Sequence, residues 1–338
     1  MRRISAGLMK PSLLITESVA ENKLADLEKS VQVTFAPELW KKSDHLLEVI
    51  PAFDALLVRN QTQVTESLIR AAKKLKVVGR AGAGLDNINV EAASRHGVVV
   101  TYAPTQNTNA VAEFTMGLIF ALSRWISFAD KDTKKGGWKR AVFTGVEIEG
   151  KILGIVGLGR IGFLAAQKAH ALGMRIVVYD PFAHNLSERT KTLDAEAMDL
   201  KALLTRSDYV SCHVPETALT RHLFNRLRFS EMKRGAYFIN ASRGGVVDEN
   251  ALLDALTEGS LAGAALDVRE AEPPTADRLA QLDNVILTPH IAAFTKEAQE
   301  RVEEDVLKDV LAVLGGGDPV YGANSPASPR AATTESPN

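Results

Sequence analysis

The stretch from Lys151 to Pro181, KILGIVGLGRIGFLAAQKAHALGMRIVVYDP, constrains the fold more than any other part of the chain. It reads as strand, glycine turn, helix, strand, acid. Ile152, Leu153, Ile155 and Val156 form an apolar run of strand length. Gly157-Leu158-Gly159-Arg160-Ile161-Gly162 is the turn, and Phe163, Leu164, Ala166, Ala169 and Leu172 then follow at helical spacing until Gly173 can end the helix. Met174 to Tyr179 is a second buried strand with Asp180 at its C-terminal end. Glycines in this setting make a dinucleotide-binding fingerprint. Gly157 permits the tight turn, Gly159 lets a pyrophosphate approach the backbone, and Gly162 lets the helix pack on the strand. The helix N-terminus offers N–H groups and a partial positive charge to the phosphates. Asp180 can accept both ribose hydroxyls and would repel a 2′-phosphate. Pro181 follows it with no arginine, so NAD is favoured over NADP.

The rest of the chain repeats the alternation. Before Pro104, strands are expected at Leu13–Ile15, Val31–Phe35, Ala55–Val58, Leu75–Gly79 and Val98–Thr101. Helices are expected near Val19–Lys29, Lys42–Ile50, Thr65–Lys74 and Val90–His96. After Asp180, strands are expected at Tyr209–Val214, Ala236–Asn240, Gly263–Asp267 and Val285–Leu287, with helices over Asp199–Thr205, Asn225–Met232, Glu249–Glu258 and Thr295–Leu314. This order predicts an α/β fold of parallel sheets covered by helices. One long helix is expected from Ala110 to Phe128, with an apolar surface wide enough for the core or a subunit interface. Residues 1–11 read as a loose arm, and 325–338, rich in Ser, Pro, Ala and Thr, as a disordered tail.

Composition removes several classes of function. A net charge of −1 over 338 residues gives no reason to expect nucleic-acid or membrane binding. Arg2 and Arg3 precede a stretch broken by Lys10 and Pro11, too short for a signal core. No apolar stretch approaches the ~20 residues of a membrane helix. The single cysteine, Cys212, cannot form an internal disulfide, which fits a reducing, cytoplasmic compartment. No ligand set for a metal stands out.

Ligands in doubly wound sheets collect at the C-terminal ends of strands. Arg243, Asp267, Glu272 and His290 all lie at or just beyond such ends, downstream of the glycine turn. A cation, a carboxylate and a histidine beside a nicotinamide suit hydride transfer at a hydroxy acid. The histidine can accept the hydroxyl proton near neutral pH, a carboxylate beside an imidazole favours its protonated form and fixes its orientation, and arginine can hold a substrate carboxylate bidentately. Asp267 could equally cap a turn. The other histidines, His45, His96, His170, His184, His213 and His222, read as structural, with His213 a partial exception because it ends a strand near the nucleotide. Two earlier loops begin with arginine where a strand gives out: Arg59-Asn60-Gln61-Thr62, and Arg80-Ala81-Gly82 with the residues after it. Both arginines read either as surface residues or as a cationic wall for an anionic substrate.

Taken together, VGRAGAGLDNI, NTNAVAE, GLGRIG with YDP, CHVPET, INASRGGVVDE, ALDVREAEPP and TPHIAAFT resemble the D-isomer-specific 2-hydroxyacid dehydrogenase family over about residues 12–324. Within it the chain is most similar to the phosphoglycerate dehydrogenases, through VRNQTQVT, VVGRAGAGLDN and the stretch from Gly137 to Gly162. The resemblance implies two doubly wound domains, with a Rossmann NAD-binding domain (105–292) inserted into a discontinuous flavodoxin-like substrate domain (1–104 plus 293–324). It implies a homodimer or homotetramer acting on a small anionic 2-hydroxy or 2-keto acid. Arg243 matches the substrate-carboxylate arginine, His290 the acid/base, and Glu272 the glutamate paired with it. Gly157, Gly159, Arg160, Ile161 and Gly162 match the pyrophosphate turn and Asp180 the ribose acid. His213, Val214, Pro215, Ala241, Ser242, Asp267 and Ala292, with Arg243 and His290, match positions lining the nucleotide. Arg59 and Arg80, with Ala81 and Gly82, match positions facing the substrate's far end, its phosphate in phosphoglycerate.

Departures from that pattern bear on the substrate. Ala83 stands where phosphoglycerate dehydrogenases often have threonine, and APTQNTNAVAE looks more like the glyoxylate and hydroxypyruvate reductases. Those reductases are the enzymatic alternative. Formate oxidation is disfavoured, because that branch has glutamine where Glu272 stands. No regulatory domain follows Leu314, so serine feedback through one is not expected. A non-enzymatic alternative is an NAD-sensing corepressor-like scaffold, which would keep the same three residues.

Overall fold

The computed structural model describes residues 10–19, 25–183, 185–274 and 278–330. The expected N-terminal arm up to residue 9, His184 and the last eight residues of the tail lie outside them. The chain divides into two compact units, Met1–Asn107 with Lys296–Asn338, and Thr108–Thr295.

The first unit is built on a five-stranded parallel sheet. Its strands are β1 (Ser12–Ile15), β2 (Gln32–Phe35), β3 (Ala55–Val58), β4 (Val77–Arg80) and β5 (Val99–Tyr102), in the order β2-β1-β3-β4-β5. Successive strand residues face opposite sides of a sheet. Leu14, Leu56, Val78 and Val100 therefore pack with Leu46, Ile69 and Ala92 on one face. Leu13, Ile15, Leu57 and Val77 pack on the other against Val302, Val306 and Val310 of the C-terminal helix, Lys296–Leu314. Apolar residues on both faces are what an all-parallel sheet requires.

The second unit holds a seven-stranded parallel sheet: β6 (Ile152–Val156), β7 (Arg175–Tyr179), β8 (Glu196–Ala197), β9 (Tyr209–Cys212), β10 (Ala236–Asn240), β11 (Leu261–Leu266) and β12 (Val285–Leu287). Their order is β12-β11-β10-β9-β6-β7-β8. One face packs Phe224, Phe229 and Phe238 with Leu252 and Leu256. The other packs Leu153, Ile155 and Ile239 against Ile119, Leu122, Ala166 and Ala169. Val156, Cys212, Asn240, Leu266 and Leu287 stand in register across neighbouring strands. The chain therefore leaves β6, β9, β10, β11 and β12 along one edge, at steps of about 4.8 Å.

Three expectations need correction. The helix expected over Ala110–Phe128 is two helices, Thr108–Ser123 and Ile126–Lys134, bent by 62°. Trp125 takes a left-handed conformation (φ 54°), and the Ser123 carbonyl accepts the Val146 N–H at 2.8 Å instead of continuing the helical ladder. Between Asp180 and Asp199 a helix, Leu186–Thr192, and the edge strand β8 form where no element is expected. Residues 325–330 are docked on the first unit, not disordered. The Arg330 backbone N–H meets the Gly97 carbonyl at 2.9 Å, and its guanidinium donates to the carbonyls of His96, Leu75 and Ala72. Among the described residues no single helix is long and apolar enough to cross a membrane.

Candidate active site

The glycine turn joins β6 to the helix Arg160–Ala171. Gly157 lies in the left-handed region (φ 94°), and a Cβ there would stand 2.7 Å from the His213 carbonyl oxygen. A Cβ on Gly162 would stand 2.0 Å from the Gly157 carbonyl oxygen, so helix and turn touch backbone to backbone. Gly159 differs: nothing lies within 4 Å of where its Cβ would be. That opening sits at the N-terminus of the helix that begins with Arg160 and Ile161, whose first-turn N–H groups have no intrahelical acceptors. Space and donors of this kind fit a pyrophosphate.

Asp180 closes the turn from the end of β7. Its Oδ2 accepts the Leu158 N–H at 2.8 Å and its Oδ1 the Phe182 N–H at 2.9 Å. Each oxygen keeps a further lone pair for a ribose hydroxyl. The sequence shows no arginine directly after Asp180, but the fold supplies one nearby. Arg189 donates to the Leu158 carbonyl and lies 5.5 Å from the Phe163 ring centroid. It arrives on the helix that the apolar pattern does not reveal. A cation therefore does stand near Asp180 in the fold.

Beyond β9, the His213 Nε2 meets the Ser211 hydroxyl at 2.9 Å. Burial pulls the His213 pKa down to about 4, so the ring is neutral near pH 7. Val214 packs on the turn, its Cγ1 2.8 Å from the Gly157 Cβ position, and leads into Pro215. Cys212 is fully buried, and burial pushes its thiol up, which suits a small core residue.

The turn after β10 is shaped by Asn240, which sequence reasoning did not single out. Its Oδ1 accepts the Ser242 N–H at 3.0 Å and the Ser242 hydroxyl at 2.7 Å, and its Nδ2 donates to the Arg243 carbonyl at 2.9 Å. Ala241, Ser242 and Arg243 thus leave the sheet in a fixed turn, with Arg243 Nη1 on the Ser242 carbonyl at 2.7 Å.

Asp267, 1% exposed, anchors the neighbouring turn. Its carboxylate accepts the Thr288 hydroxyl at 2.5 Å and the N–H groups of Ile291 at 2.9 Å and Ala292 at 2.8 Å, while its carbonyl accepts the His290 N–H at 2.8 Å. Burial raises its carboxyl above the usual range despite these bonds. The turn-capping alternative for Asp267 is what the structure displays. This web holds His290 in the left-handed region (φ 56°), a conformation uncommon outside glycine. The His290 Nδ1 meets Glu272 Oε2 at 2.7 Å, and Glu272 Oε1 accepts the Arg269 N–H at 2.9 Å. Burial alone would raise the Glu272 carboxyl. The hydrogen bonds from His290 and Arg269, with the nearby charge of Arg243, outweigh it and hold the group below its ordinary value. An ionised Glu272 accepts a hydrogen bond from Nδ1–H, which leaves Nε2 as the ring nitrogen turned to other partners.

The loop arginines lie in the first unit, at neighbouring strand ends, since Val58 and Arg80 are in register. Arg59 departs from the anion-wall reading. Its side chain is 15% exposed and donates to Glu303 (3.4 Å), the Ser18 carbonyl (3.3 Å) and Gln299. Burial lowers its guanidinium from the ordinary value, opposed by Glu303 and Glu17. Glu17, 4% exposed, also shapes the loop by accepting the N–H groups of Arg59, Gln61 and Thr62 at 2.8, 3.0 and 2.9 Å. Arg59→Ala is expected to lower stability by about 1–3 kcal/mol, because it strips a donor from the buried Glu303 carboxylate; a thermal melt checks this. Arg80 is placed differently. Its guanidinium lies over Gly82, where a Cβ would stand 1.4 Å from Nη1, and the Ala81 N–H meets the Val58 carbonyl at 2.8 Å.

Comparison with known proteins agrees with this geometry. The family described as D-isomer specific 2-hydroxyacid dehydrogenase, NAD binding domain, matches residues 116–292. The D-3-phosphoglycerate dehydrogenase of Methanocaldococcus jannaschii is 44% identical over 305 residues, covering 90% of this chain and 57% of that protein. The enzyme of the same name from Archaeoglobus fulgidus is 41% identical over 305 residues, with the same coverage of 90% and 57%. The chain thus spans a little over half the length of these relatives. Among solved structures, a Thermus thermophilus protein superposes with a TM-score of 0.86 at 33% identity, covering 93% of this chain and 100% of that one. The holo form of Rhodotorula graminis D-mandelate dehydrogenase gives a TM-score of 0.85 at 30% identity, covering 95% and 100%. The chain belongs to the D-isomer-specific 2-hydroxyacid dehydrogenase family and carries that family's NAD-binding domain.

Proposed function

We propose that the chain is an NAD-dependent dehydrogenase working at C2 of a D-2-hydroxy acid, with 3-phosphoglycerate and 3-phosphohydroxypyruvate as the substrate pair. The observation that carries this reading is the 2.7 Å contact of His290 with Glu272, on the sheet edge that also bears the glycine turn and Arg243. Bound NAD would supply the hydride acceptor. In oxidation, His290 Nε2 takes the C2 hydroxyl proton, and in reduction it returns it. Glu272 holds the ring in one tautomer, and Arg243 binds the substrate carboxylate through its fork. Arg80 is the side chain proposed to recognise the phosphate, a reading supported by the names of the relatives and by its place at the end of β4.

The internal pairing of Arg59 favours a second reading, glyoxylate or hydroxypyruvate reduction, because it removes one cation from the proposed wall. A panel of glyoxylate, hydroxypyruvate and phosphohydroxypyruvate with NADH separates the two. The expected result is a higher kcat/KM for the phosphorylated acid, with Arg80→Ala raising that KM about tenfold or more, as loss of a charge-assisted contact worth 1.5–3 kcal/mol requires. Equal kcat/KM across the panel would select the reductase.

The proposed assembly is a homodimer or homotetramer. Ile126, Trp138 and Val142 support it, being 55%, 78% and 65% exposed on the helix Ile126–Lys134, the loop after it and the short 3-10 helix Arg140–Phe143.

A further inference from the structure

The segment Val268–Glu272 carries Glu272 but contains no helix or strand. A carboxylate that must orient an imidazole cannot ride on loose backbone, so what fixes this segment matters. Within it Arg269 is 9% exposed. Its Nε donates to Glu249 Oε1 at 2.9 Å and its Nη2 to Glu249 Oε2 at 2.7 Å, a two-pronged pair with the two side chains 8% and 23% exposed. Glu249 is itself anchored. It begins the helix Glu249–Thr257, which Asp248 caps by accepting the N–H groups of Asn250 and Ala251 at 3.0 and 3.1 Å. Glu249 Oε1 also accepts the Glu270 N–H at 2.8 Å. The next contact reaches the dyad, because the Arg269 N–H donates to Glu272 Oε1 at 2.9 Å and Glu272 Oε2 meets His290.

The same backbone touches the loop of Arg243. A Cβ on Gly244 would stand 1.8 Å from the Arg269 carbonyl oxygen and 2.6 Å from the Glu270 nitrogen. The strand-end loops of β10 and β11 are thus in direct backbone contact at Gly244. A buried ion pair is weak support for stability, since apolar groups of similar volume often do as well. Its fixed fork geometry, in contrast, suits orientation.

We infer that the Arg269–Glu249 pair is a positioning device for the Glu272–His290 dyad. The inference rests on the proposed dehydrogenase reading. Arg269 and Glu249 touch neither proton nor hydride; they set where Glu272 points.

The test is a double-mutant cycle on the full chain. Arg269→Lys keeps the charge and removes the fork, and it is made in the native and the Glu272→Gln backgrounds. Glu249→Gln, made in the same two backgrounds, serves if the lysine variant does not fold, and NADH fluorescence with a thermal melt certifies each protein. In the native background kcat should fall by roughly ten- to a hundredfold, as misplacement by about 1 Å can do, with the KM for NADH unchanged. In the Glu272→Gln background the same substitution should add less than about twofold, because the residue it acts through is already lost. An equal loss in both backgrounds, or no loss in the native one, overturns the inference. A crystal structure of the Arg269→Lys variant decides it without turnover: Glu272 swung out of hydrogen-bond reach of His290 supports it, and an intact contact overturns it. If the native protein turns over no 2-hydroxy acid, the dehydrogenase reading fails, and the crystal structure still judges the positioning claim.

Discussion

Replacing His290 with alanine is expected to lower turnover by about 10²–10⁴-fold, the usual loss when a general acid/base is removed, while NADH binding stays nearly intact. The two readouts separate because the turn does not depend on the imidazole. The backbone N–H groups of His290, Ile291 and Ala292 are held by Asp267, whatever the side chain at 290. The left-handed backbone of His290 is a complication for alanine, since L-residues other than asparagine, aspartate and histidine rarely adopt it. His290→Asn tolerates that conformation better and still lacks the imidazole. Both variants should show the same loss of kcat, with NADH dissociation constants near that of the native protein. A variant that keeps native turnover would remove His290 from the chemistry.

The architecture was readable wherever a short apolar run was bounded by turn residues. Ala55–Val58, Ala236–Asn240 and Val285–Leu287 form strands with the expected limits. The glycine turn was readable because its spacing, the strand before it and the helix after it must coincide. Trp125 was not readable as a break. The apolar pattern runs through it to Ile126, and only the Val146 N–H, distant in sequence, draws the Ser123 carbonyl out of the ladder. The helix Leu186–Thr192 was hidden for the opposite reason: LSERTKT carries almost no apolar period.

The candidate site divides along the same line. Types and spacing singled out Arg243, Glu272 and His290, because each stands at or near the end of an apolar strand. Whether a charge is available to a ligand depends on partners that spacing does not disclose. The partners of Arg59, Gln299 and Glu303, lie 240 and 244 residues away in sequence. The pairing of Arg269 with Glu249 and the approach of Arg189 to Leu158 are tertiary in the same sense. Asn240 is the exception. An amide at the last position of a strand, before a turn of small residues, is a local signal that could have been used.

The glycine turn yields the other large effect, through a contrast between two single methyl groups. Gly159 has an ordinary extended backbone (φ −65°, ψ −165°), and nothing lies within 4 Å of its Cβ position. Gly159→Ala should therefore fold with unchanged stability. Its methyl would stand in the open space assigned to the pyrophosphate, so the NADH dissociation constant should rise tenfold or more, roughly 1.4 kcal/mol of lost binding or above. Gly162→Ala should behave in reverse order. Its methyl would stand 2.0 Å from the Gly157 carbonyl oxygen in the free protein, so helix and turn must part before any ligand arrives. Forcing a methyl into close-packed structure costs about 1–3 kcal/mol, which should appear first as a lower melting temperature, with weaker NADH binding following from the displaced turn. Thermal melts and fluorescence titration on both variants distinguish the cases. If Gly159→Ala bound NADH as the native protein does, the pyrophosphate would not lie at this turn, and the assignment of the glycines to the cofactor would fall with it.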